Sequence, residues 1–211
     1  MSYRVVITQA ASGCEVISNS VLVYVTTITT QPSTPATICV GGTATMSVAA
    51  SLNGGSGSLS YQWQSSPNGS SSWTDVSVGT GFTTTNYTTE NLNTTTWFRC
   101  KITSSTTSCT LFSNGVRVLV VPDPTITVQP TSGTICVGGN YILSVTATNG
   151  TPSLTYQWQS STTSGSGFTN ISGATSNTFN TGTINTVQTT YYQCIVSASG
   201  NGCNSLTSSE A

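Results

Sequence analysis

Cysteine is the residue type in this chain best equipped for chemistry. There are seven, Cys14, Cys39, Cys100, Cys109, Cys136, Cys194 and Cys203, and no histidine. Without histidine there is no imidazole base, proton shuttle or usual metal ligand. The acids Glu15, Asp75, Glu90, Asp123 and Glu210 are scattered, and no local motif sets a pair at glycosidase spacing. Asp123 stands between two prolines, but a calcium site needs six to eight oxygens, so it reads as a solvated linker acid. Lys101 is the only lysine, and Ile195 takes its place later in the chain, which excludes a lysine isopeptide crosslink in each half. Gly41-Gly42 and Gly138-Gly139 lack the helix and lysine of a phosphate loop and read as tight turns. The chain therefore carries no catalytic set, no metal site and no cofactor site. What remains is thiol chemistry, and seven cysteines beside so little charge point to disulfides and an oxidising compartment.

The cysteines recur with their surroundings. Leu59-Ser60-Tyr61-Gln62-Trp63-Gln64-Ser65-Ser66 returns as Leu154-Thr155-Tyr156-Gln157-Trp158-Gln159-Ser160-Ser161, and Trp158 minus Trp63 is 95 positions. Ile38-Cys39-Val40-Gly41-Gly42 returns as Ile135-Cys136-Val137-Gly138-Gly139, and Trp97-Phe98-Arg99-Cys100 as Tyr191-Tyr192-Gln193-Cys194. A period of that length is one small domain, so the chain is a tandem array. Short alternating runs rich in Thr, Val, Tyr and Ile, broken by turn clusters such as Asn53-Gly54-Gly55 and Ser164-Gly165-Ser166-Gly167, predict an all-β sandwich in each repeat.

Residues 26–121 read as one complete repeat and 122–211 as a second lacking its final strand. Residues 1–25 read as the last two strands of a preceding repeat, because Cys109 minus Cys14 is again 95. The expectation is a window taken from a longer polypeptide. The alternative is polymerisation, with residues 15–25 of one chain completing the second repeat of another. Val121-Pro122-Asp123-Pro124 is a short, stiff linker that favours beads set end to end.

Composition narrows the partners. Charged residues make up 4% of 211, with a net charge of -1, so there is no electrostatic footprint for nucleic acid or anionic lipid. No apolar run approaches the roughly 18 residues that span a bilayer, so no membrane insertion is expected. Residues 1–25 lack the core and cleavage site of a signal peptide.

Trp63 and Trp158, with Phe98-Arg99-Cys100 and Tyr192-Gln193-Cys194 downstream, resemble the strand C tryptophan and strand F Tyr-x-Cys of immunoglobulin-like sandwiches. That resemblance implies a core of Trp63, Val48 and Phe98 in one repeat and Trp158 and Tyr192 in the other. Val48 stands where an immunoglobulin domain has its first cysteine, so Cys100 lacks the conventional partner. The ordered pattern Ile-Cys-Val-Gly-Gly, Tyr-Gln-Trp-Gln, aromatic-x-Cys and a further Cys nine residues on resembles the repeats of very large surface adhesins of Bacteroidota-type bacteria. Those are exported by the type IX system and linked to gliding or attachment. The resemblance implies an extracellular, repetitive, non-catalytic segment.

Val5 stands where Cys100 and Cys194 stand, while Cys14 is kept. Cys100 and Cys194 are thus candidate buried thiols, and Cys14, Cys39, Cys109, Cys136 and Cys203 candidates for disulfides. Three pairings stay open. Cys39–Cys109 and Cys136–Cys203 would lie within repeats, though an immunoglobulin frame puts those positions at opposite ends. Cys39–Cys203 would clasp one repeat to the next. Cys100–Cys109 would cross a hairpin.

Two function classes compete. A fibre or adhesin stalk has as partners the neighbouring repeats of its own polypeptide, or identical chains in a filament. A binding module would use Trp73 and Phe168, which recur in phase, to contact a surface glycan or protein. Both aromatics also read as covers for a sheet edge. Thr83-Thr84-Thr85, Thr94-Thr95-Thr96 and the Asn-x-Ser/Thr contexts at Asn68, Asn86, Asn93, Asn149 and Asn170 read as strand threonines and as chance.

Overall fold

The structure, a computed structural model, describes residues 1–106 and 108–211. It is all-β among those residues: two immunoglobulin-like sandwiches in series, preceded by a hairpin. Among the described residues no helix is long and apolar enough to cross a membrane.

In the first repeat Leu59–Ser66 pairs antiparallel with Thr96–Ser104, with Thr74–Asp75 on one side and Thr110–Phe112 and Val116–Val118 on the other. Facing this sheet are the pairs Thr45–Ser47 with Asn86–Thr88 and Thr27–Thr30 with Ala49–Ser51. Ile38–Cys39 crosses over to run parallel to Val120–Val121. The second repeat repeats the scheme with Leu154–Ser161 on Tyr191–Ala198, flanked by Thr169–Asn170 and Leu206–Thr207.

Alternation explains the layers. Along Thr96–Ser104 the residues Phe98, Cys100 and Ile102 point inward and are buried, while Trp97, Arg99 and Lys101 face outward. The interiors are separate. One gathers Ile38, Met46, Val48, Trp63, Tyr87, Phe98, Cys100, Ile102, Val116 and Val118. The other gathers Leu143, Val145, Trp158, Cys194 and Val196, with Phe179 and Tyr192 packed on it. In both, the tryptophan lies directly opposite the thiol, Trp63 to Cys100 and Trp158 to Cys194.

An aromatic trio fills each core. Tyr87 lies 5.7 Å from both Trp63 and Phe98. In the second repeat Phe179 lies 6.0 Å from Trp158 and 5.8 Å from Tyr192. The tyrosine and phenylalanine have exchanged places. The Tyr87 hydroxyl donates to the Val78 carbonyl at 3.2 Å. Tyr192 is half-buried and borders an open groove of about 640 Å³ with Tyr141 and Leu143.

The hairpin of residues 1–25 has the same register as the last hairpin of the first repeat. Val6–Thr8 pairs with Glu15–Ile17, and Ser2–Tyr3 with Val21–Leu22. Adding 95 to each number reproduces the pairing of Lys101, Ile102 and Thr103 with Phe112, Leu111 and Thr110, and of Trp97 and Phe98 with Arg117 and Val116.

Candidate functional site at the junction of the repeats

The thiol chemistry sits between the sandwiches. Cys39, the last residue of the strand Ile38–Cys39, is bonded to Cys203, in the hairpin turn after Tyr191–Ala198, across 164 residues with Cα atoms 4.8 Å apart. The intra-repeat pairings Cys39–Cys109 and Cys136–Cys203 are corrected by this bond, while Cys136 and Cys14 carry exposed thiols that are not bonded within this chain. The reason is topological. Within one sandwich the two turns are at opposite ends, whereas the far turn of one repeat faces the near turn of the next.

The bond is embedded in polar contacts. The Cys39 amide donates to the Asn201 carbonyl at 2.9 Å, and the Thr43 amide to Asn201 Oδ1 at 2.7 Å. Asp123 of the linker accepts from the Asn204 amide at 3.2 Å and from Asn204 Nδ2 at 2.8 Å. The linker acid therefore pins the incoming turn. The approach is close enough that a Cβ on Gly42 would stand 2.5 Å from the Asn201 carbonyl oxygen. Glycine at 42 and 202 lets the two backbones touch.

Cys100 and Cys194 are fully buried free thiols, so the Cys100–Cys109 hairpin pairing is not formed. Burial pushes the Cys100 thiol up to about 12 and the Cys194 thiol up to about 11, so both stay protonated and unreactive at neutral pH. Their backbone amides donate to no ladder carbonyl. Instead the Cys100 amide donates to Ser113 Oγ at 2.8 Å and the Cys194 amide to Ser208 Oγ at 2.9 Å. Val5 does the same with Ser18 Oγ at 2.9 Å. Each hydroxyl donates onward to the next carbonyl, of Asn114, Ser209 or Asn19. These serines were not apparent from the sequence. Their recurrence in phase was the available signal, masked by the abundance of serine.

A hydrogen-bonded relay crosses the outer face of each long sheet. In the first repeat Arg99 Nε donates to Gln64 Oε1 at 2.9 Å, and Gln64 Nε2 to Asp75 Oδ1 at 2.7 Å. In the second, Gln193 Nε2 donates to Gln159 Oε1 at 2.7 Å, and Gln159 Nε2 to Asn170 Oδ1 at 2.8 Å. Both charges of the first relay are replaced by amides in the second. The Arg99 guanidinium also lies 4.4 Å from the centre of the Trp73 ring and 4.2 Å from that of Phe112. Trp73 thus stacks on Arg99, and both it and Phe168 are half-buried. Among the described residues no group of three or more Cys, Asp or Glu could hold a metal.

Two stretches, residues 28–122 and 125–211, match the family described as Domain of unknown function (DUF8696). The chain belongs to that family, in two consecutive copies. No curated protein matches it in sequence. Similar solved structures include Sidekick-1 immunoglobulin domains 1-5, at 14% identity over all of this chain and 45% of that one, with a TM-score of 0.46. The DIP-gamma IG1+IG2 structure is 13% identical over 88% of this chain and 94% of that one, at 0.44. An I-band fragment from titin is 11% identical over 89% and 64%, at 0.48. The chain thus spans about half the length of the Sidekick-1 chain.

Proposed function

We propose that this chain is a tension-bearing, non-catalytic segment of an extracellular bacterial fibre or adhesin stalk. Residues 26–121 and 122–211 act as successive beads, and 1–25 as the closing hairpin of a bead of the same kind. The resemblance of its motifs to very large Bacteroidota-type surface adhesins, exported by the type IX system for gliding or attachment, favours that setting. A disulfide between repeats fits an oxidising exterior.

The observation that carries the reading is the Cys39–Cys203 bond. Tension applied to the two ends enters the first repeat and leaves through the second. With the bond closed, force passes from residue 39 to residue 203, and most of both cores lies off the load path. The relay side chains Arg99 and Gln193 stabilise sheets without presenting a reacting group.

Single-molecule stretching from both ends tests this. The closed span of 164 residues would extend by about 3.3–3.6 Å per residue, or about 550 Å. The oxidised chain should withhold that length, and reductant or Cys203→Ser should release it. Full extension of the oxidised chain would sink the reading. The glycan-binding alternative at Trp73 and Phe168 gains no support from a Trp73 ring already stacked on Arg99.

A further inference from the structure

Charge in this chain is scarce and unevenly placed. Of its 4 basic residues, Arg99, Lys101 and Arg117 belong to the first repeat. The second repeat has the acids Asp123 and Glu210 and no cation. The three cations share one surface, the outer face of the long sheet. Arg99 and Lys101 alternate outward along Thr96–Ser104, and exposed Arg117 lies directly opposite outward-facing Trp97. Arg99 and Lys101 are about 6.8 Å apart along the strand. Arg117 lies on the diagonal from Arg99, about 7–8 Å away. Like charges so placed repel, and an anion beside them relieves the repulsion. Asp75 borders the row two strands away, with its Oδ1 engaged by Gln64.

Arg99 is preorganised for one kind of anion. Two rings fix its guanidinium, Trp73 at 4.4 Å and Phe112 at 4.2 Å, and Gln64 takes its Nε. The terminal nitrogens Nη1 and Nη2 form the edge that receives both oxygens of a planar carboxylate. The floor is packed. A Cβ on Gly69 would stand 2.5 Å from Trp97, and one on Gly115 would touch both Trp73 and Trp97. Trp73 thus supports Arg99 rather than meeting a ligand. Phe112 differs, because its ring lies opposite Lys101 and is 47% exposed.

Docked repeats leave this face uncovered. The junction engages the turn at 39–43, Asp123 of the linker and the turn at 201–204. Arg117 is exposed with the second repeat in place. In the second repeat Gln193 and Ile195 occupy the positions of Arg99 and Lys101. They are half-buried, as those cations are, although the first repeat is docked at that end.

We propose that the outer face of the first repeat binds an acidic polysaccharide of the uronate class. Arg99, Lys101 and Arg117 pair with its carboxylates, and Phe112 takes the apolar C–H face of one sugar ring. A uronate residue joins a planar carboxylate and a flat C–H surface in one unit, whereas an acidic peptide offers the carboxylate alone. The second repeat, with Gln193, Ile195 and Thr207 at the positions of Arg99, Lys101 and Phe112, lacks the site. The contact is lateral to the stalk, so its failure would leave the stretching result at Cys39–Cys203 unaffected.

Polygalacturonate is titrated into the full chain by calorimetry. Dextran serves as the neutral polymer, and dextran sulfate and polyglutamate as anions of other kinds. Saturable binding of polygalacturonate that weakens as salt rises is expected, with none to dextran. Lys101→Gln and Arg117→Gln should each weaken it about two- to fivefold, the range of exposed ion pairs, with urea midpoints unchanged. Arg99→Lys keeps the charge but loses the forked edge, so it should weaken binding without altering its salt dependence. Three results would overturn the proposal: no binding of polygalacturonate, equal affinity for polyglutamate or dextran sulfate, or full affinity in the Lys101→Gln, Arg117→Gln double variant.

Discussion

A buried thiol and a serine hydroxyl share one backbone residue's needs in each repeat. Cys100 and Cys194 fill the space opposite the core tryptophans, and their amides are satisfied by Ser113 and Ser208 rather than by the ladder. A buried amide without a partner costs about 1–3 kcal/mol, which explains why each strand interruption carries a hydroxyl. The thiols also make stability depend on pH. An unfolded cysteine ionises near its ordinary value of 9.0, while the folded thiols hold their protons to about 12 and about 11. Their contribution is whole below pH 9 and is lost as pH rises through the folded values, because the unfolded chain releases protons first. Each repeat should lose about 1.4 kcal/mol per pH unit above pH 9, with buried Tyr87 adding to the loss in the first repeat above pH 10. Urea midpoints from pH 8 to 10.5 measure this. Cys100→Ala should flatten the slope of the first repeat, and an unchanged slope would reject the thiol as its source. The cysteine positions were visible in the sequence because the residue is rare. The serines were not, because in a chain so rich in serine their recurrence in phase does not stand out.

At the scale of the strand, the two long sheets solve one problem with different charges. The first repeat ties three strands together through Arg99, Gln64 and Asp75, and the second through Gln193, Gln159 and Asn170. The central glutamine passes a hydrogen bond from one neighbour to the other, so the end groups are coupled without touching. Arg99→Gln removes two cation–π contacts, each worth about 0.5–1 kcal/mol at an exposed site, and leaves Asp75 as the sole charge of the relay. A loss of about 1–2 kcal/mol is expected. Asp75→Asn added to it reproduces the neutral relay, so the double variant should be more stable than the sum of the singles by about 0.5 kcal/mol or more. A double-mutant cycle in urea reads this, and strict additivity would refute coupling through Gln64. The strands themselves were legible: Tyr61, Trp63 and the alternation around Cys100 place inward and outward faces by period alone. The relay was not, because Gln64 and Arg99 meet only after two strands distant in sequence have paired, and Trp73 read as an edge cover or a ligand contact before its stacking on Arg99 was seen.

For the whole molecule, the decisive contact joins residues 164 positions apart, a separation that no local pattern encodes. The repeat period shows that Cys39 and Cys136 are equivalent, and Cys109 and Cys203 likewise, but it is silent on whether a bond closes within a period or across one. Close backbone approach settles the choice, and Gly42 tests it directly. Gly42 lies outside the left-handed region, so alanine there carries no conformational penalty within its own turn. Its Cβ would meet the Asn201 carbonyl carbon at 3.0 Å and the oxygen at 2.5 Å, atoms that belong to the other repeat. Gly42→Ala should therefore leave the stability of each sandwich within about 0.5 kcal/mol, as for a surface change, while forcing the turns apart. The Cys39–Cys203 bond should become easier to reduce, and in glutathione buffer a larger fraction of Cys203 should be alkylated than in the parent chain. Gly139→Ala, at the equivalent turn of the second repeat, serves as the matched control and should leave Cys203 protected. Equal protection of Cys203 in both variants would show that the junction tolerates a gap there, and that the bond rather than the fit of the two turns holds the repeats together.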